Sequence, residues 1–175
     1  MTKSDPIAMN LSAGMASVLV ALLLVGLKLW ALGTTAALSV AASLADSALD
    51  LMMSIAGLMA IIYAARPADE DHAFGHTSVE DLAALAQSVF IAISGAVIGW
   101  AAVTRLMQSQ PQKLQAEGGG IAVMVLSIAI TIALVLWQRR VARTTGSKVV
   151  AADSMHYISD LLPNLGGRAS CRERV

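Results

Sequence analysis

Apolar residues fall into five long runs along the chain, separated by short polar stretches. The runs extend from about Leu11 to Leu32, Ala37 to Ala65, Ser78 to Met107, Gly119 to Trp137 and Ser147 to Leu165. Each is near or above the roughly 20 residues that a helix needs to cross about 30 Å of hydrocarbon. In lipid, unpaired backbone groups are too costly for an open sheet, so helix is the only state open to them. The pattern predicts an all-α, polytopic transmembrane bundle of about five helices. The first run exceeds a signal peptide's apolar core of about 7–15 residues, and it reads as an uncleaved helix. The fifth run is the most polar.

The breaks between the runs are expected at Gly33-Thr34-Thr35, 66–77, 108–120 and 138–148. The last of these carries Arg139, Arg140, Arg143 and Lys148, and with Lys3 and Arg66 it makes one side rich in basic residues. Lys28, Arg105 and Lys113 mark the poorer side. The richer side is expected in the cytoplasm. Residues 1–10 then form a cytoplasmic N-terminus, and the 66–77 loop is cytoplasmic as well. Contact of the arginine cluster with anionic lipid is a secondary role.

Composition agrees with the pattern. The chain is 57% hydrophobic and only 14% charged, against about 25% charged in soluble domains. Net charge is zero, so there is no electrostatic case for a nucleic-acid partner. The single cysteine, Cys171, excludes an intrachain disulfide and a thiolate-rich metal site.

Against this background, two pairs of polar residues stand out. Asp46 and Asp50 sit one turn apart in the second run, and His156 and Asp160 repeat the i, i+4 spacing in the fifth. Such spacing puts each pair on one helix face. A charge near the bilayer centre costs roughly 2.5–3.5 kcal/mol on insertion scales, so each pair needs compensation. Lys28 cannot neutralise three carboxylates. Together the four side chains offer one imidazole and three carboxylates, a set suited to a tetrahedral divalent ion, zinc first. The alternative is an ordinary ion pair with a neighbouring helix, or a fifth run that does not span. In the third cluster, Asp69, His72 and His76 follow the spacing D-x2-H-x3-H, where Gly75 would ease a tight turn. Alone, that spacing is a weak signal, since a polar loop with two histidines is more often simply solvated. Glu80 and Asp81 suit the positive end of the third helix. Pro163 lies inside or just past the fifth helix, where it would free the Ser159 carbonyl or mark the helix end.

The segments Ser43-Leu-Ala-Asp-Ser-Ala-Leu-Asp, Pro67-Ala-Asp-Glu-Asp-His-Ala-Phe-Gly-His, Leu82-Ala-Ala-Leu-Ala-Gln-Ser and Ala152-Asp-Ser-Met-His-Tyr-Ile-Ser-Asp together resemble the cation diffusion facilitator family. The likeness is strongest to its bacterial ferrous-iron and zinc efflux branch, and it covers about residues 10 to 166. It implies a transport site at Asp46, Asp50, His156 and Asp160, and a second zinc site at Asp69, His72 and His76. It also implies exchange of cytoplasmic zinc, cadmium or iron for protons, no organic cofactor, and a homodimer in the inner cell membrane.

The sequence departs from the family at Gly75-His-Thr-Ser-Val-Glu, where Gly-His-Gly-Lys-Ala-Glu is commoner. Family members have six spans and then a cytoplasmic metal-binding domain of ferredoxin-like shape. The expectation here is an incomplete transmembrane domain over 11–166, followed by an unrelated tail, 167–175. The leading function is proton-coupled export of a divalent cation. The alternatives are a metal-binding membrane protein without transport and an inactive fragment of the exporter. An enzyme is not expected, since there is no HExxH and no Gly-rich phosphate loop.

Overall fold

In the computed structural model, residues 5–35, 38–107 and 118–169 are described. They form five helices: α1 Pro6–Thr35, α2 Leu38–Ala64, α3 Ser78–Met107, α4 Gly118–Thr145 and α5 Lys148–Ala169. No strand occurs among the described residues. The expected positions of Lys3, Lys113, Cys171 and most of the proposed tail lie outside them.

Four helices, α1 to α4, have stretches long and apolar enough to cross a membrane. The α5 helix is more polar, as its sequence predicts. Many large side chains on the first four face outward, among them Leu19, Leu23, Trp30, Ile93, Val97 and Leu136. In water these would be a liability; in lipid they are the solvated surface. The chain is a multi-pass membrane protein.

Helix ends differ from the sequence pattern in two places. The α1 helix runs through Gly33 and Thr34 instead of breaking there. Thr34 Oγ1 donates back to the carbonyls of Ala31 (3.0 Å) and Trp30 (3.3 Å), as threonines inside helices do. The α4 helix runs past the apolar stretch to Thr145, so Arg139, Arg140 and Arg143 belong to a helix and not to a loop. Arginine is a good helix former, and nothing stops α4 until Gly146. That glycine has φ +75°, and its N–H bonds the Ala142 carbonyl at 2.8 Å, a left-handed C-cap. Ser147 then caps α5 by accepting from Val150 N–H at 3.3 Å. Pro163 falls inside the range of α5.

The core between the helices is built largely from small residues. Ala13, Ala60, Ile61, Val141, Val149 and Val150 form one buried cluster, with Met9 and Val79 against it. Leu134, Val135 and Tyr157 form a second. At Gly14 an added Cβ would lie 3.0 Å from Leu58 Cδ1 and 3.2 Å from Ile61 Cδ1, so α1 and α2 pack closely there and a side chain would make these two give way. The first cluster gathers the start of α1, the end of α2, the starts of α3 and α5, and the end of α4 at one end of the bundle. Two polar contacts tie the same end together: Ser147 Oγ donates to Glu80, and Lys148 Nζ pairs with Asp81 at 2.8 Å.

Candidate metal-binding sites

The α2 and α5 helices bring Asp50 and His156, which are 106 residues apart in sequence, into contact. His156 Nε2 lies 3.1 Å from Asp50 Oδ1. One turn further along α5, Asp160 Oδ2 lies 3.7 Å from the same nitrogen. Their ligand atoms all lie within 4.8 Å of one another. A tetrahedral zinc ion with bonds of about 2.0–2.2 Å places its ligand atoms about 3.3–3.6 Å apart. The observed separations bracket that edge length. His156 itself is buried, whereas Asp50 and Asp160 are half-buried.

His156 is held from several sides. The Phe90 ring of α3 meets it edge-on, with ring centroids 5.7 Å apart. Ser159 Oγ donates to the His156 carbonyl at 2.6 Å. At 1.5 Å rise per residue, His156 sits about 12 Å along α5 from its start. Asp46 is not part of this cluster. It is exposed, one turn before Asp50 on the same helix. Between the two aspartates, Ser47 is buried and accepts a hydrogen bond from Lys28 Nζ of α1, which also donates to the Ser43 carbonyl at 3.1 Å. Lys28 is thus tethered to α2 beside the acidic pair.

The loop between α2 and α3 gathers the other predicted residues. Asp69 Oδ1 accepts from the backbone N–H of His72 at 2.7 Å and lies 2.9 Å from His72 Nδ1. Its other oxygen lies 3.3 Å from His76 Nε2. The two imidazoles are 4.6 Å apart between centroids. The hydrogen bond from His72 holds the Asp69 carboxyl below the usual carboxylate range. His76 is buried, and its ring meets Tyr63 of α2 edge-on at 4.8 Å. Arg66 covers the same tyrosine ring at 5.1 Å. Gly75 makes the turn between the two histidines, with φ +78° and its N–H bonded to the His72 carbonyl at 2.9 Å. This is a conformation that a side chain resists. Asp69, His72 and His76 therefore form a compact group that could hold an ion.

Sequence reasoning missed a buried polar network beside the membrane cluster. Ser17 of α1, Ser54 of α2, Gln138 of α4, and Asp153 and Tyr157 of α5 meet there. Ser17 Oγ lies 2.9 Å from Ser54 Oγ and 2.7 Å from Asp153 Oδ2. Ser54 Oγ lies 3.0 Å from the Tyr157 hydroxyl, and Gln138 Nε2 donates to Asp153 Oδ2 at 2.5 Å. The available signal was an aspartate three residues before His156 in an apolar run.

Comparison with known proteins bears on the family of the chain. The family of the cation efflux transmembrane domain matches residues 14–170. The cation-efflux pump FieF of Klebsiella pneumoniae is 40% identical over 152 residues, which is 87% of this chain and 50% of the relative. FieF of Shewanella oneidensis is 45% identical over 152 residues, 87% of this chain and 51% of the relative. Protein p34 of Rickettsia prowazekii is 39% identical over 150 residues, 85% of this chain and 49% of the relative. The chain spans about half the length of these curated relatives. With a match over residues 14–170 and four helices fit to cross a membrane, the chain belongs to the cation efflux family.

Proposed function

We propose that the protein exports a divalent metal cation, Zn²⁺, Cd²⁺ or Fe²⁺, across the inner cell membrane in exchange for protons. The observation that carries this reading is the meeting of Asp50, His156 and Asp160 at ligand spacing between two helices. The metal is the substrate. Asp46 completes the shell by a side-chain rotation, as the carboxylate one turn away. Three carboxylates and a neutral imidazole leave the loaded site with one excess negative charge. A proton on His156 or on a carboxylate then competes directly with the metal, since ligands must be deprotonated to bind. Oxygen and nitrogen donors without thiolate suit an ion that must also leave.

The N-terminus and the 66–77 loop face the cytoplasm in this reading. The basic residues Arg66, Arg139, Arg140, Arg143 and Lys148 lie on helix ends or connections at one end of the bundle, as the positive-inside rule requires. Asp69, His72 and His76 hold a second ion there. The protein works as a homodimer, with metal, protons and lipid as its partners, and it carries out no enzymatic chemistry. In vesicles reconstituted with the protein, Asp50→Ala is expected to abolish metal-stimulated proton flux. Undiminished flux in that variant would sink the assignment of the transport site.

A further inference from the structure

The buried network beside the metal cluster has an excess of acceptors. Asp153 is 6% exposed and Gln138 only 1%. Asp153 Oδ2 accepts from Ser17 and Gln138, both neutral. Asp153 Oδ1 and Gln138 Oε1 are buried with no hydrogen-bond partner. Native interiors rarely leave such atoms unsatisfied. Both residues line one small cavity with Ser54, Gly14 and Gly57, of about 10 Å³. That is near the lower limit for a single water-sized particle.

Burying a carboxylate without a compensating charge costs several kcal/mol. Here the lining offers oxygens, one negative charge and room for one small particle. Those features match a monovalent cation, whose single charge cancels that of Asp153. We propose that Asp153, Gln138 and Ser54 form a monovalent-cation site, for a proton or a sodium ion, one turn of α5 from His156. The groups that face it are Ser17 of α1, Ser54 of α2, Gln138 of α4 and Tyr157 of α5. Gln87 of α3 lies behind Gly57, with its own amide unpartnered. The charged or titratable side chains that act on Asp153 electrostatically are His156 and Asp50. Four helices converge on this point, so occupancy bears on how they pack. A role in driving metal movement rests on the exporter reading, but the site itself does not.

The test is the melting temperature of the protein in detergent, with two arms. In one, sodium chloride replaces choline chloride at constant ionic strength; in the other, pH is lowered. A ligand that binds only the folded state raises the melting temperature. The wild type is expected to gain several degrees in one arm. Asp153→Asn, whose amide supplies a donor to the orphaned acceptors, is expected to fold and to lose most of that gain. Ser54→Ala keeps the carboxylate and is expected to show a reduced gain, which serves if Asp153→Asn does not fold. An infrared band of a protonated carboxyl group that vanishes in Asp153→Asn identifies the proton; a gain in the sodium arm alone identifies sodium. No gain in the wild type, or an equal gain in Asp153→Asn, overturns the proposal. Asp50→Asn, made in a background without the loop ligands Asp69, His72 and His76, separates the two readings, because it is expected to lose zinc binding yet keep the gain. Undiminished zinc binding in that variant overturns the exporter site and leaves the monovalent site standing.

Discussion

Replacing Tyr157 by phenylalanine probes how the bundle holds α5, and with it His156, in place. The Tyr157 hydroxyl lies 3.0 Å from Ser54 Oγ and 3.3 Å from Ser17 Oγ, and the side chain is 2% exposed. The ring remains in Tyr157→Phe, so no cavity opens. Ser17 and Ser54 keep their own contact at 2.9 Å, so neither hydroxyl is orphaned. Side-chain hydrogen bonds between membrane helices average about 0.6 kcal/mol, and two of them give about 1 kcal/mol. For a chain of this size that is about 2–4 °C in melting temperature. Ser17→Ala is expected to cost more, about 1–3 kcal/mol, because it removes a donor from the buried Asp153 carboxylate. The double variant should be non-additive by at least about 0.5 kcal/mol, since the residues share partners. Thermal unfolding in detergent measures all three. If Tyr157→Phe is the more damaging change, or the pair is strictly additive, the network does not join the helices as described.

Three further outcomes follow. Gly75→Ala forces a side chain into φ +78° and is expected to cost about 1 kcal/mol or more, read as weaker zinc binding by the loop in a His156→Ala background. Asp69 has its carboxyl held low by His72, so its contribution is complete above the ordinary carboxylate range and disappears as pH falls through the lowered value; a carbon-detected NMR titration of Asp69 should show that midpoint return toward normal in His72→Ala. The Lys148–Asp81 pair is exposed on both sides, so Lys148→Met should change stability by no more than about 1 kcal/mol.

The apolar runs made the helices legible, and α3 begins and ends where the pattern put it, at Ser78 and Met107. Their ends were less so. Polar α4 residues after Trp137 stay helical because helix propensity outlasts hydrophobicity. Spacing alone placed Asp50 with His156 and Asp160, since i, i+4 pairs in lipid have few ways to be compensated. It did not distinguish Asp46 from Asp50, because one turn of helix separates a side chain facing α5 from one that is exposed. The Asp153 network was hidden for another reason. Its partners Ser17, Ser54 and Gln138 come from three other helices, and no local spacing links them.

The central claim is that a divalent cation is held between α2 and α5. X-ray absorption at the zinc edge, in a variant lacking Asp69, His72 and His76 as loop ligands, tests it most directly. The account predicts a shell of nitrogen and oxygen near about 2.0 Å with scattering from one imidazole, lost on His156→Ala. A zinc shell without imidazole scattering while His156 is intact, zinc bound undiminished after His156→Ala, or a sulfur shell, would contradict it.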